Sequence, residues 1–272
     1  MDNLKNFDLT MQALTELVQE EQGNKTSPAY DTTSQDNASL LKGQPAFPSL
    51  TSTLASISPL PKHALFLGIA EDDLPVLLNL SDPIPGPILI VGDEKSDKTL
   101  LLQTIARAAD LTYAQNEVQY AVVTQYPDEW KKFYKNQNNN FLYQTGDYNT
   151  KELLESLVTW AHRNKGEQQS VLLLIDDLEA MTKLDEQATQ NLRWLLLRGT
   201  SRRVWTFITL NAKRASHLKE WLEFFHTRLF ARLQNSDDAY LLTGNRDASL
   251  ADLNQFAMRE NDKLLGFYAP TI

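Results

Sequence analysis

The sequence contains no cysteine, so disulfides, thiolate metal sites and thiol nucleophiles are excluded. That usage suits a reducing compartment, and a cytoplasmic location is expected. Its four histidines (His63, His162, His217, His226) are scattered with no pair at ligand spacing, which argues against a histidine-built zinc site. Basic residues are in deficit: 26 Lys and Arg stand against 35 Asp and Glu, a net charge of −9. That balance gives no support for a broadly basic nucleic-acid surface, while leaving room for a local basic channel. Long apolar runs are missing too. The N-terminus, MDNLKNFD, is acidic without an apolar signal core. Runs such as Val171–Ile175 are far too short to span a bilayer, so no membrane association is expected.

What is present, 272 residues, can bury a full core and fits one large domain plus an appendage. Leu4, Phe7, Met11, Leu14 and Val18 recur at steps of three and four, the spacing of a helix with one narrow apolar stripe. Asp2 and Asn3 can cap it and Gly23-Asn24 ends it, giving an amphipathic helix over residues 1–23. It either packs on its own domain or docks a protein partner. Residues 24–61 are rich in Ser, Thr and Pro with few apolar residues, and read as a flexible linker. The folded domain is then expected over 62–272.

From Lys62 onward the order becomes regular. His63–Ala70 and Pro75–Leu80 flank Glu71-Asp72-Asp73 like a β-hairpin. Ile88–Val91, Val118–Thr124, Phe141–Gln144, Ser170–Ile175, Val204–Leu210 and Arg228–Leu233 read as strands. Helical patterns over Thr99–Asp110, Asp128–Lys135, Lys151–Asn164, Glu186–Arg198, His217–Phe225 and Leu250–Phe256 fall between and after them. Ala257–Arg259 and Leu264–Tyr268 read as a closing hairpin. Strands alternating with helices make an α/β fold with a mainly parallel sheet, whose ligands bind beyond the carboxyl ends of its strands.

One stretch carries a chemical signature. In Pro87–Ala106, PILIVGDEKSDKTLLLQTIA, a short apolar strand meets a polar turn, and Lys98-Thr99 then opens a helix. This is the layout of a phosphate-binding P-loop, in which backbone N–H groups and a helix N-terminus face the phosphates of ATP. The candidate cradle is Gly92, Asp93, Glu94, Lys95, Ser96, Asp97, Lys98, Thr99 and Leu100. The strict pattern is not met, because Asp97 stands where the second glycine belongs. Further on, Ser170–Ile175 delivers Asp176-Asp177 at its end, the arrangement in which a buried strand presents a carboxylate to Mg²⁺. Thr99 and Asp176 are thus the candidate metal ligands, and Asp177 the residue that would orient an attacking water. Asn211 ends the next strand, where a polar sensor would touch phosphate or water.

The run HALFLGIAEDDLPVLLNLSDPIPGPILIVGDEKSDKTLL resembles the opening of FtsK/HerA-type motor domains, where a small hairpin leads into the P-loop strand. LLRGTSRRVWTFITLNAKR is similar to that family's arginine-bearing segment, strand and sensor. FHTRLFARLQNSDDAYLLTG and LLGFYAPTI are similar to its closing elements. The likeness runs in order from Lys62 to Ile272. It implies a RecA-like P-loop NTPase core that binds ATP and Mg²⁺, assembles as a homo-oligomer (usually a hexamer) and translocates DNA. It also implies that Lys98 holds the β- and γ-phosphates and that Arg202 or Arg203 acts across a subunit interface. Arg228 matches a basic position to which no role is assigned.

Three departures fall in the phosphate site. Asp97 adds a carboxylate; Asp177 replaces glutamate and Asn211 glutamine, each one methylene short. The basic residues Lys131, Lys132, Lys135, Lys213, Arg214 and Lys219 lie among Asp128, Glu129, Glu220 and Glu223, and read as an ordinary charged surface rather than a phosphate-binding groove. Two functions are expected from different classes: an ATP-binding motor subunit with slow hydrolysis, or an inactive pseudo-ATPase scaffold docked through residues 1–23.

Overall fold

The computed structural model describes residues 48–133, 141–164, 169–244, 255–260 and 263–272. The helix expected over residues 1–23, most of the expected linker and the Leu250–Asn254 part of an expected helix lie outside them.

Among the described residues ten strands form one sheet: β1 Ala64–Ala70, β2 Pro75–Asn79, β3 Ile88–Gly92, β4 Val118–Thr124, β5 Leu142–Gln144, β6 Ser170–Asp176, β7 Val204–Asn211, β8 Thr227–Phe230, β9 Gln255–Glu260 and β10 Lys263–Tyr268. Their spatial order is β2-β1-β10-β9-β8-β3-β7-β6-β4-β5. From β8 to β5 the pairing is parallel throughout; the remaining strands add an antiparallel flank. The fold class read from the sequence, a mainly parallel α/β core, is what the structure has.

The central strands are apolar on both faces because helices cover both. In β3, Ile88 and Ile90 point to one face and Leu89 and Val91 to the other, as a two-residue period requires. Ile88 and Ile90 pack with Leu101, Leu102 and Ile105 of the helix Lys98–Thr112 and with Trp205 and Phe207. Leu89 and Val91 share the opposite core with Leu153, Leu154 and Leu157 of the helix Tyr148–Arg163 and Leu192 and Leu195 of the helix Glu186–Arg198.

Three expectations need correcting. The stretch assigned to linker contains the helix Leu50–Ile57, N-capped by the Ser49 hydroxyl. Leu50 and Leu54 are buried with Phe66 and Ala108, and Leu50 N–H donates to Thr271 O at 2.8 Å. The folded unit therefore begins at Pro48. The apolar triplet Leu50, Leu54, Ile57 has helical spacing, but the Ser- and Thr-rich composition around it masks the stripe. The expected helix His217–Phe225 is instead a 3-10 segment, Ala212–His217, followed by one turn at Lys219–Leu222. Gln255 and Phe256 start β9 rather than ending a helix, because Phe256 is needed in the core, stacked on Phe267 at 5.7 Å.

Leu50→Ala is expected to lower stability by about 3 kcal/mol, a drop of roughly 6–12 °C in Tm for a domain of this size. Thermal unfolding checks this; a Tm within 1–2 °C of wild type, roughly what a surface change gives, would return the segment to linker status.

Candidate functional site

Parallel pairing brings the chemistry to one edge. Gly92 at the end of β3 lies opposite Asn211 at the end of β7, and Asp176 at the end of β6 lies opposite Thr124 at the end of β4. With β7 between β3 and β6, the P-loop and the Asp176-Asp177 pair emerge at the same edge of the sheet on either side of Asn211.

Between β3 and the helix Lys98–Thr112 the loop folds tightly. Lys95 and Asp97 both take the left-handed conformation, φ 60° and 57°. At Gly92 a β-carbon would stand 2.5 Å from Ser96 Oγ and 2.8 Å from Ala231 Cβ, so only glycine lets the loop fold back. The Ser96 hydroxyl donates to Asp93 O at 2.7 Å. Asp93 is buried: its N–H donates to Arg232 O at 2.9 Å, and its carboxylate accepts from Gln234 N at 2.7 Å, tying the loop to the chain after β8. The first helical bond runs from Leu101 N to Asp97 O, so the N–H groups of Lys98, Thr99 and Leu100 face forward, as an anion-binding helix start requires.

Lys98 Nζ donates to Asp93 O and, at 3.2 Å, to Ser96 Oγ. Burial pushes its pKa down, opposed by four carboxylates: Asp176, Asp93, Asp177 and Asp97. Thr99 Oγ1 donates to Asp176 Oδ2 at 3.0 Å. The other oxygen, Oδ1, accepts from Thr209 Oγ1 at 2.8 Å. Thr209 in turn accepts from Asp177 N at 2.8 Å. Thr99 and Asp176 offer two hard oxygen donors, which fits Mg²⁺. Among the described residues no group of three or more His, Asp or Glu could hold a metal. A Mg²⁺ bound here would thus complete its shell with phosphate oxygens and water, as is usual for this ion.

Asp177 has φ 95° and ψ 100°, an unusual backbone for a residue with a β-carbon. Its Oδ1 accepts from Glu179 N at 2.9 Å, capping the short helix Leu178–Met181. Burial pushes the Asp177 carboxyl up, while the N–H groups of Glu179 and Ala180 pull it down. Asn211 Oδ1 accepts from Lys213 N at 3.2 Å and caps the segment that follows.

Arg202 and Arg203 are not brought to this edge. They precede β7, about 25 Å away at 3.3 Å per strand residue. Arg203 Nη1 donates to Leu80 O at 3.2 Å, whereas the Arg202 side chain is exposed. Arg228 donates to the carbonyls of Leu222, Phe225 and Leu242, a structural tie. Of the basic residues considered for DNA, Lys131 pairs with Asp128 at 2.9 Å and Arg214 with Glu179 at 3.1 Å. Lys135 lies outside the described residues.

The sequence reading missed Thr209 and Glu129. Thr209 was detectable as one of two threonines (with Thr206) in a mostly apolar strand, two places before its end. Glu129 follows β4; its carbonyl accepts from Gln103 Nε2 at 2.9 Å, and burial and the charge of Asp176 push its carboxyl up. Nothing local in the sequence pointed to it.

A parallel sheet with the phosphate loop on β3, an acidic strand end on β6 and a polar strand end on the intervening β7 is the architecture of a P-loop fold. Within that class it has the fold of FtsK/HerA-type motor domains. No protein-family model matches the chain, and no curated protein matches it. Among solved structures it is similar to Thermomonospora curvata EccC (ATPases 2 and 3, in complex with a signal sequence peptide), with 17% identity over 88% of this chain and 45% of that one and a TM-score of 0.65. It is similar also to EssC (ATPases 2 and 3) from Geobacillus thermodenitrificans, with 12% identity over 86% and 48% and a TM-score of 0.66. The pCW3 conjugation coupling protein TcpA, in a monomer form with ATPγS, matches at 14% identity over 84% and 70%, with a TM-score of 0.61. The chain spans less than half the length of the first two. No helix among the described residues is long and apolar enough to cross a membrane.

Proposed function

We propose that the chain is a cytoplasmic ATP-binding subunit of FtsK/HerA motor type that hydrolyses ATP slowly. The observation that carries this reading is the 3.0 Å contact of Thr99 with Asp176 directly behind Lys98. It joins the loop's hydroxyl to the strand-end carboxylate across the helix N-terminus. Lys98 would hold the β- and γ-phosphates, the N–H groups of Glu94 to Leu100 would cradle them, and Thr99 and Asp176 would hold Mg²⁺. Asp177 would orient the water and Asn211 would sense the terminal phosphate. Arg202, exposed at the far end of β7 from the site, would act on a neighbouring subunit's nucleotide in a homo-oligomer. The similar EccC, described as a type VII secretion ATPase, is seen in complex with a signal sequence peptide, which supports a polypeptide substrate; DNA is the alternative that the FtsK/HerA resemblance implies.

Slow turnover follows from Asp177. It is one methylene shorter than glutamate and already caps a helix, and about 1 Å of misplacement in a water-orienting group can cost on the order of a hundredfold in rate. Asp177→Glu is expected to raise kcat about tenfold with little change in nucleotide affinity. An unaltered kcat would remove Asp177 from that role.

Equilibrium titration of the full chain with ATP, with and without Mg²⁺, tests the proposal. Saturable binding that tightens with Mg²⁺ is expected. No binding at millimolar ATP would instead support the second reading, a pseudo-ATPase scaffold. That reading is favoured by the negative field that four carboxylates, Asp176, Asp93, Asp177 and Asp97, exert at Lys98.

A further inference from the structure

We propose that Thr209 is a positioning residue that sets the metal-facing oxygen of Asp176 and the backbone of Asp177 with one hydroxyl; this rests on the MgATP reading above. A hydroxyl has one proton to donate and lone pairs to accept. An N–H can only donate, so the 2.8 Å contact from Asp177 N fixes Thr209 Oγ1 as acceptor there. The Thr209 proton then goes to Asp176 Oδ1, at 2.8 Å. With Oδ1 occupied, Oδ2 is the oxygen left facing Thr99, at 3.0 Å. The carboxylate is thereby divided: one oxygen held by the sheet, the other presented to the site.

Burial sharpens the assignment. Thr209 is 2% exposed and lies level with the fully buried Ile90 of β3. A polar group is costly in such a place unless it is bonded, and the bonds Thr209 makes run to the two acids of the site. Its acceptor role also holds the N–H of Asp177, the residue whose φ of 95° turns the chain out of β6. Loss of the hydroxyl should release both acids together. Partners of this kind, one step behind a metal ligand, typically change metal affinity by ten- to a hundredfold.

The experiment uses the full chain and a non-hydrolysable fluorescent ATP analogue, titrated with Mg²⁺ and separately in EDTA. In wild type, Mg²⁺ should tighten analogue binding. In Thr209→Val, which keeps shape and loses the hydroxyl, the half-maximal Mg²⁺ concentration should rise about tenfold, with affinity in EDTA within about twofold of wild type. Thr209→Ser should return the Mg²⁺ midpoint to within about threefold of wild type. Should the valine variant not fold, Thr209→Ala makes the same prediction. A hydroxyl that served only stability would lower Tm and leave the Mg²⁺ midpoint alone. An unchanged midpoint in the variant lacking the hydroxyl overturns the proposal, as does a serine variant as impaired as valine. A wild-type chain that binds no analogue overturns the nucleotide reading and this proposal with it; the two failures differ because the second leaves wild type silent.

Discussion

Lys98→Ala should weaken MgATP binding by at least a hundredfold in equilibrium titration of the full chain. Two charge-assisted hydrogen bonds to phosphate are each worth about 1.5–3 kcal/mol, and about 3 kcal/mol is already two decades in affinity. Among the described residues Lys98 bonds only to Asp93 O and Ser96 Oγ, neutral groups that phosphate oxygens outcompete. Its removal has a second consequence. Asp176, Asp93, Asp177 and Asp97 all act electrostatically on this ammonium group, and without it their combined field faces the incoming anion. The pH dependence has a definite sign. Burial lowers the Lys98 pKa in the free protein and phosphates would raise it, so binding takes up a proton and wild-type affinity should fall as pH rises through the lowered value. Lys98→Ala should lose that alkaline decline. Affinity within threefold of wild type, about 0.7 kcal/mol, would place the nucleotide elsewhere.

Much of this site could be read from the chain because its parts are coded locally. Ile88–Val91 is apolar on both faces, so it must be a central strand; Gly92, the polar turn and Lys98-Thr99 then mark a loop opening a helix. Asp176 was legible for the same reason, as the first charge after an unbroken apolar run. What stayed hidden depends on pairing between distant segments. The neighbours of β3 are β7 and β8, more than a hundred residues downstream in sequence, and the order β3-β7-β6 that sets Asn211 beside Gly92 has no local signature.

Side-chain commitments were also invisible. Asp177 is a strand-end acid in the sequence, but in the fold it caps a helix and takes a strained backbone. Arg202 and Arg203 are equivalent as letters, yet one guanidinium is engaged by Leu80 O and the other is exposed. Leu50–Ile57 shows the opposite error, where average composition overruled a three-residue apolar stripe.

Asp97→Gly is expected to tighten MgATP binding by about a hundredfold, an unusual sign for a substitution in a binding loop. Two effects separate at this position. Asp97 has φ 57° and ψ 20°, a left-handed backbone that costs most L-residues about 1–2 kcal/mol, and Asp less. Glycine removes that strain but adds freedom to the unfolded chain, so stability should change little. Charge matters more than strain here: at ~5 Å and an effective dielectric of ~20, each carboxylate–phosphate pair costs roughly 3 kcal/mol, about two decades in affinity. Asp97→Asn distinguishes the causes, because asparagine tolerates the same backbone without the charge. If repulsion dominates, Asn should recover most of the gain and Gly only slightly more; if backbone strain dominates, Gly alone should gain. Added salt should narrow the gap between wild type and Asp97→Asn, since screening weakens the repulsion that only wild type carries. Two variants binding no tighter than wild type would mean that the carboxylate does not face the phosphates, and the loop's failure to match the P-loop pattern would then have little bearing on affinity.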